Sequence, residues 1–152
     1  MKYWLIKSEP NTYSISDMKT EKNCIWDGVR NYQARNFLRQ MNKGDLVFFY
    51  HSNIIPPGII GLVQVWETNL VDPTQFDHKS KYYDPKSTPN APRWQTVSVQ
   101  FVEEFPSLIS LATLKQKFSG DELLVIRRGN RLSVMPVAEE VAEKILAMKN
   151  QK

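Results

Sequence analysis

The run Leu46-Val47-Phe48-Phe49-Tyr50 constrains the fold of this chain more than any other stretch. Its five consecutive apolar residues have strand length. Successive strand side chains point to opposite sides, so both faces of this strand are expected to be buried. Weaker strand signals surround it. Residues 3–6 form a first strand, stopped by Ser8-Glu9-Pro10, and 59–66 form another, in which Gly61 marks a bulge or a close neighbour. From Trp94 to Val102 the pattern alternates, with Val97, Val99 and Phe101 inward and Ser98 and Gln100 outward. A brief extended piece covers 24–26, and 131–134 read as the last strand.

Helices interrupt these strands. Ser14 and Asp17, three residues apart, resemble a capping box that opens a short helix through about Lys19. Ala34, Phe37, Leu38 and Met41 recur at i, i+3, i+4 and i+7, the buried stripe of a helix over 32–41 with Asn31 at its N-cap. Ser110 starts a helix to Phe118. Pro136 precedes a closing helix with Glu139, Glu140 and Glu143 early and Lys144 and Lys149 late, in the sense the helix dipole favours. The stretch 121–126 is ambiguous between helix and strand. Between 70 and 93, Pro73, Pro85, Pro89 and Pro92 punctuate a long connection. Such loops in compact domains are functional or disordered, and Tyr82 and Tyr83 argue for order. Strands in the middle, with helices at the start, late centre and end, fit an α+β domain with a small curved sheet or partial barrel of about five to six strands.

A chain of 152 residues fits one domain over 1–152. Apolar content of 41% and charged content of 24% are ordinary for a globular protein, and the net charge of +4 suits a nucleic-acid partner without demanding one. The single Cys24 excludes an internal disulfide and points to a reducing compartment. No apolar run long enough to span a bilayer and no leader pattern occurs, so the expectation is a soluble intracellular protein, cytoplasmic or, in a eukaryote, nuclear, with no membrane partner.

The segment from Trp26 to Leu38 concentrates the chemistry. An aromatic and a flexible Asp27-Gly28 turn lead into a helix whose start is flanked by Arg30 and Arg35, an arrangement suited to a planar or anionic ligand. Other chemistry is missing. The six glycines form no phosphate loop, and His51, His78 and Cys24 are not spaced as metal ligands. No Glu-x-Lys occurs, and Asp-x-Lys falls only in the short helix or the Pro-rich loop. His51 and Ser52 adjoin in a strand and so point apart, which does not build a nucleophile pair. No metal or cofactor is expected.

Several motifs carry a family likeness. Trp4-Leu5-Ile6-Lys7-Ser8-Glu9-Pro10, the Trp26 to Leu38 segment, Phe48-Phe49-Tyr50-His51-Ser52, Gly58-Ile59-Ile60-Gly61, Thr74-Gln75-Phe76-Asp77, Tyr82-Tyr83-Asp84-Pro85, Pro92-Arg93-Trp94 and Arg131-Leu132-Ser133-Val134-Met135-Pro136-Val137 resemble the EVE domain in order and spacing. The resemblance implies a PUA-like curved β pseudo-barrel decorated by helices. It also implies kinship with YTH readers of N6-methyladenosine, whose Lys-Ser element and downstream tryptophan match Lys7-Ser8 and Trp26. A reader of modified bases in DNA or RNA follows as the expected activity, with 5-modified cytosine among the ligands and without catalysis.

Trp26 then becomes the leading candidate for stacking a flipped-out base, with Tyr83 and Trp94 as a second wall. Ser8, Asn31, Tyr50 and Ser52 are candidates for the base edge, Tyr50 and Ser52 sharing one strand face. Lys7, Arg30, Arg35 and Arg131 are candidates for phosphate, and Arg127-Arg128 adds to a local basic cluster. Glu9 is either structural or an acceptor for a base amine. Each has a plainer reading: core packing for the aromatics, an N-cap for Asn31, a turn for Ser8, a solvated surface for the arginines. A monomer is expected. The competing readings are an enzyme acting on a modified base through Ser52, His51 or Glu9, and a protein-interaction domain.

Overall fold

The computed structural model describes residues 1–150. Six strands form one open sheet in the order β2-β5-β4-β3-β1-β6. They are β1 (Tyr3–Ser8), β2 (Asn23–Ile25), β3 (Leu46–His51), β4 (Gly58–Val71), β5 (Gln95–Ser110) and β6 (Val134–Val137). Among the described residues only β1 and β3 run parallel, and the other strand pairings are antiparallel. Four helices pack on it: α1 (Ile15–Glu21), α2 (Tyr32–Gln40), α3 (Leu111–Lys117) and α4 (Glu139–Met148). Among the described residues no helix is long and apolar enough to cross a membrane.

The alternation in β1 and β3 creates two cores. Trp4 and Ile6 with Val47 and Phe49 face one side, where Ile15 and Met18 of α1 and Ala34 and Leu38 of α2 cover them. Leu5 with Phe48 and Tyr50 faces the other, against Leu114 of α3 and Val141, Ala142 and Ile145 of α4. The five-residue apolar run is thus buried on both faces, as its composition requires.

The caps at Ser14, Asn31 and Ser110 form as expected. Ser14 and Asp17 complete a reciprocal capping box, and α1 continues to Glu21. Asn31 and Ser110 accept from the backbone amides of Ala34 and Thr113. Strand ends differ more. β4 and β5 extend well past the expected 59–66 and 94–102 because register shifts at Ile59/Gly61, Leu62/Val63, Val65/Glu67 and Glu67/Leu70 break the two-residue period. Gly61 sits at one of these bulges, and a Cβ there would fall 2.6 Å from Ile15 Cδ1 and 2.7 Å from the Glu103 carbonyl oxygen. Ser98, expected outward, is only 4% exposed and accepts from the Glu67 amide. The last strand lies at 134–137 rather than 131–134 and contains Pro136. It is an edge strand, where a residue lacking an N–H can be accommodated.

The connection after β4 is ordered around one buried amide. Gln75 Nε2 donates to the carbonyls of Asp72 and Trp94, while Oε1 accepts from Ser87 and from the amides of Arg93 and Trp94.

Candidate nucleic-acid interface

β1 and β3 are parallel, so their C-terminal ends meet at one edge of the sheet. There Lys7, Ser8, Glu9 and Ser52 form part of the wall of a cavity of about 540 Å³. Cys24 and Ile25 of β2, the segment Trp26 to Arg30, Tyr13 just before α1, Glu21 at its end, Lys81-Tyr82 from the long loop, and Ser133 complete most of it. The volume falls in the range of small-molecule pockets, roughly 300–1,000 Å³.

Trp26 is half-buried in this wall and held from several directions. Its amide donates to the Val97 carbonyl at 2.9 Å, and its own carbonyl accepts from the Thr96 hydroxyl. Phe49 and Tyr13 meet its ring at 5.7 and 6.1 Å with interplanar angles of 80° and 75°. Edge contacts of this kind fix the plane of an aromatic ring. Gly28, two residues on, has φ +85°, and a Cβ there would lie 2.6 Å from the Tyr82 ring. Glycine therefore lets Tyr82 close against the Trp26 turn.

Charge around the cavity is mixed. Burial pulls the Lys7 ammonium below its ordinary range. Burial, reinforced by Asp72, raises the Asp27 carboxyl, with Arg30 pulling the other way. Burial also raises the Cys24 thiol and the Tyr13 phenol, whose hydroxyl donates to Glu21 at 2.9 Å.

Of the expected site residues, Ser8, Trp26, Ser52, Lys7 and Arg30 line this cavity. Ser8 also shapes the turn by donating to the Tyr13 carbonyl, and its carbonyl accepts from the Ser52 amide at 3.0 Å. The others lie elsewhere. Asn31 is an exposed N-cap, and Tyr50 belongs to the opposite core. Ser52 does not share the surroundings of Tyr50 because it lies past the end of β3, where strand alternation no longer holds. Tyr83 packs on His78, and its neighbour Tyr82 takes the cavity position. Trp94 is buried beneath Tyr32, 4.8 Å away and nearly parallel, with Nε1 donating to Asp84.

The arginines divide into two groups. Arg30 donates to the Tyr82 and Val29 carbonyls, Asp72 and Thr74. Arg35 donates to Asn36 and the Arg93 carbonyl and lies 4.7 Å from the Tyr32 ring centre. Both act in the scaffold. Arg131 is exposed on the loop that leads to Ser133, and Arg127 and Arg128 line a shallow depression with Gln33 and Asn130. Sequence reasoning missed Tyr13, Glu21, Lys81 and Ser133, which come together only through the tertiary fold, and took Asp27 only as part of a turn.

His51 has a structural task. Its Nε2 accepts from the Ile15 amide at 3.1 Å, satisfying a donor at the start of α1. Accepting at Nε2 places the neutral ring's proton on Nδ1. Burial lowers its pKa, partly countered by Glu104. A depressed folded-state pKa means this stabilisation is complete above the unfolded value of about 6.5 and is lost as pH falls through the folded value. Urea midpoints are therefore expected to fall between pH 7 and 5, and His51→Gln should flatten that slope. An equal slope in both proteins would exclude His51 as its source.

The family model of the EVE domain matches residues 2–148. The chain belongs to the EVE domain family. Among curated relatives of this EVE domain, thymocyte nuclear protein 1 of Homo sapiens is 40% identical, covering 98% of this chain and 74% of its own length. The Mus musculus protein is 42% identical, with coverages of 96% and 73%. Human THYN1 in complex with 5-methylcytosine-containing DNA superposes with a TM-score of 0.93 at 37% identity, covering 100% of this chain and 99% of that one. A Pseudomonas syringae protein matches with a TM-score of 0.93 at 46% identity, over 97% and 99% of the two chains. The Mmi1 YTH domain, in complex with RNA, shares the fold, with a TM-score of 0.52 at 9% identity over 98% of this chain and 77% of its own.

Proposed function

We propose that this EVE domain is a nucleic-acid-binding module that receives a modified base, a 5-modified cytosine in particular, in the cavity beside Trp26 and does not turn it over. The observation that carries the reading is the half-buried Trp26 ring, held edge-on by Phe49 and Tyr13 in the wall of a base-sized cavity. The human relative bound to 5-methylcytosine DNA supports it. Carboxylates suit the edge of such a ligand, since they accept from the cytosine N4 amine. Glu9 and Asp27 are the carboxylates we place in that role, with Ser8 and Ser52 on the rim. Tyr82 takes the place of Tyr83 and Trp94 as the second aromatic wall.

Phosphate contacts fall to Lys7, Arg131 and the neighbouring Arg127 and Arg128. Arg30 and Arg35 spend their donors within the protein. A non-catalytic role agrees with the use of His51 Nε2 as a helix acceptor. We further propose that the domain acts as a monomer, because one chain builds the whole cavity, and that it works inside the cell, as the nuclear name of its relatives suggests.

Fluorescence anisotropy with short DNA and RNA oligonucleotides, each carrying one modified cytosine or adenine, tests this at two salt concentrations. The expected result is a preference for one modification, with affinity falling as salt rises. Arg131→Gln should weaken binding to all sequences alike and reduce the salt slope by about 1. Absence of binding across the panel would overturn the reading.

A further inference from the structure

The hairpin between β3 and β4 has an apolar tip that the fold leaves uncovered. Ile55 is 96% exposed, the most exposed large apolar side chain among the described residues, and Ile54 beside it is 40% exposed. Pro56 and Pro57 extend the run to four apolar residues, and proline rings restrict the backbone there. Consecutive exposed apolar residues lower solubility and persist where they have a task.

Both stems of this hairpin are anchored. His51 pairs with Gly58, the Ser52 amide donates to the Ser8 carbonyl, and the Leu111 amide donates to the Pro57 carbonyl at 2.9 Å. Ser52 and Ser8 are themselves cavity wall. The tip therefore starts at the cavity rim, with Ile55 three residues beyond Ser52, a reach of at most about 10 Å. No residue from Ser52 to Pro57 carries a charge, so nothing on the tip repels phosphate.

We infer that Ile55 is a wedge that enters the base stack of duplex DNA at the position vacated by the nucleotide held in the cavity. This rests on the modified-base reading and adds the form of nucleic acid to it. Extruding a base leaves an apolar gap of about two stacking intervals, roughly 7 Å along the axis. Apolar side chains inserted at base steps fill such gaps and offset the unstacking cost.

The test compares the intact protein with Ile55→Ser on two ligands: a duplex with one 5-methylcytosine, and the same modified strand alone. Ile55 touches no core, so the melting temperature should not change. The expected result is at least about tenfold weaker duplex binding, with single-strand affinity kept within about twofold, because only the duplex needs its stack repaired. Ile55→Leu should restore duplex binding. Equal losses on both ligands, or an unchanged duplex affinity, would overturn the wedge. The same holds if Ile55→Ser converts a sedimenting dimer to a monomer without altering DNA binding. If the wild-type protein binds the single strand but not the duplex, the wedge fails and the modified-base reading stands. If it binds neither, both fall.

Discussion

Trp26→Ala is expected to cost about 1–3 kcal/mol of binding to a modified oligonucleotide, roughly 5- to 150-fold in Kd. Removing an aromatic plane that stacks a base typically has this size. The upper part of the range applies here because the ring is held by edge contacts to Phe49 and Tyr13 and by backbone bonds on both sides. A ring already fixed in its bound orientation loses little entropy when the base arrives. Trp26→Phe should recover part of the affinity, since a smaller ring still offers a flat face. Titrations with modified and unmodified oligonucleotides of one sequence separate two roles for the pocket. A larger loss on the modified ligand means that the pocket reads the modification. Equal losses would mean that Trp26 stacks any base, leaving discrimination to other residues. Circular dichroism of the variant checks that β2 still pairs with β5.

The parts of this fold that were legible in the sequence are those set by local rules. Apolar residues on both sides of 46–50 required two cores, and the cap side chains of Ser14, Asn31 and Ser110 marked three helix starts. Bulges in β4 and β5 hid the length of the two longest strands, because each shift exchanges the buried and exposed faces that a two-residue period tracks. Pro136 precedes the closing helix as expected, and it also lies within β6, at a sheet edge where the strand penalty on proline is relieved.

The wall of the cavity was legible only in part. Trp26, Lys7, Ser8 and Ser52 converge on the cavity. Tyr82 and Tyr83 are neighbours in sequence, and only the packing of Gly28 shows which of them reaches it. Arg30 is a phosphate candidate from the sequence because it flanks a helix start and a guanidinium matches phosphate bidentately. Asp72, Thr74 and the Tyr82 carbonyl, which take up its donors, lie more than forty residues away, at sequence separations of 42, 44 and 52.

That long-range connection carries the largest expected loss of stability. Asp72 lies just past the end of β4 with a side chain 2% exposed, paired with Arg30, which is 20% exposed, at 3.0 Å. Its Oδ2 also accepts from the Gly28 amide at 2.8 Å, and its Oδ1 accepts from the Thr74 amide and hydroxyl. One carboxylate thus ties the Trp26 turn, the start of α2 and the long loop together. Asp72→Ala leaves the Arg30 guanidinium without its counter-charge in a mostly dry site, a loss of about 3–5 kcal/mol. Urea denaturation at pH 7 measures it. A cost below about 1 kcal/mol would show the pair to be screened like a surface ion pair. Arg30→Ala should cost less in the Asp72→Ala background than alone, with a coupling of about 1 kcal/mol or more. Binding should weaken as well, in the fraction that remains folded. Gly28, Arg30 and Tyr82 line the cavity that Trp26 opens onto, and without Asp72 the Trp26 turn loses its Gly28 tie to the facing loop and rests on the Arg30 bonds to Tyr82 and Thr74.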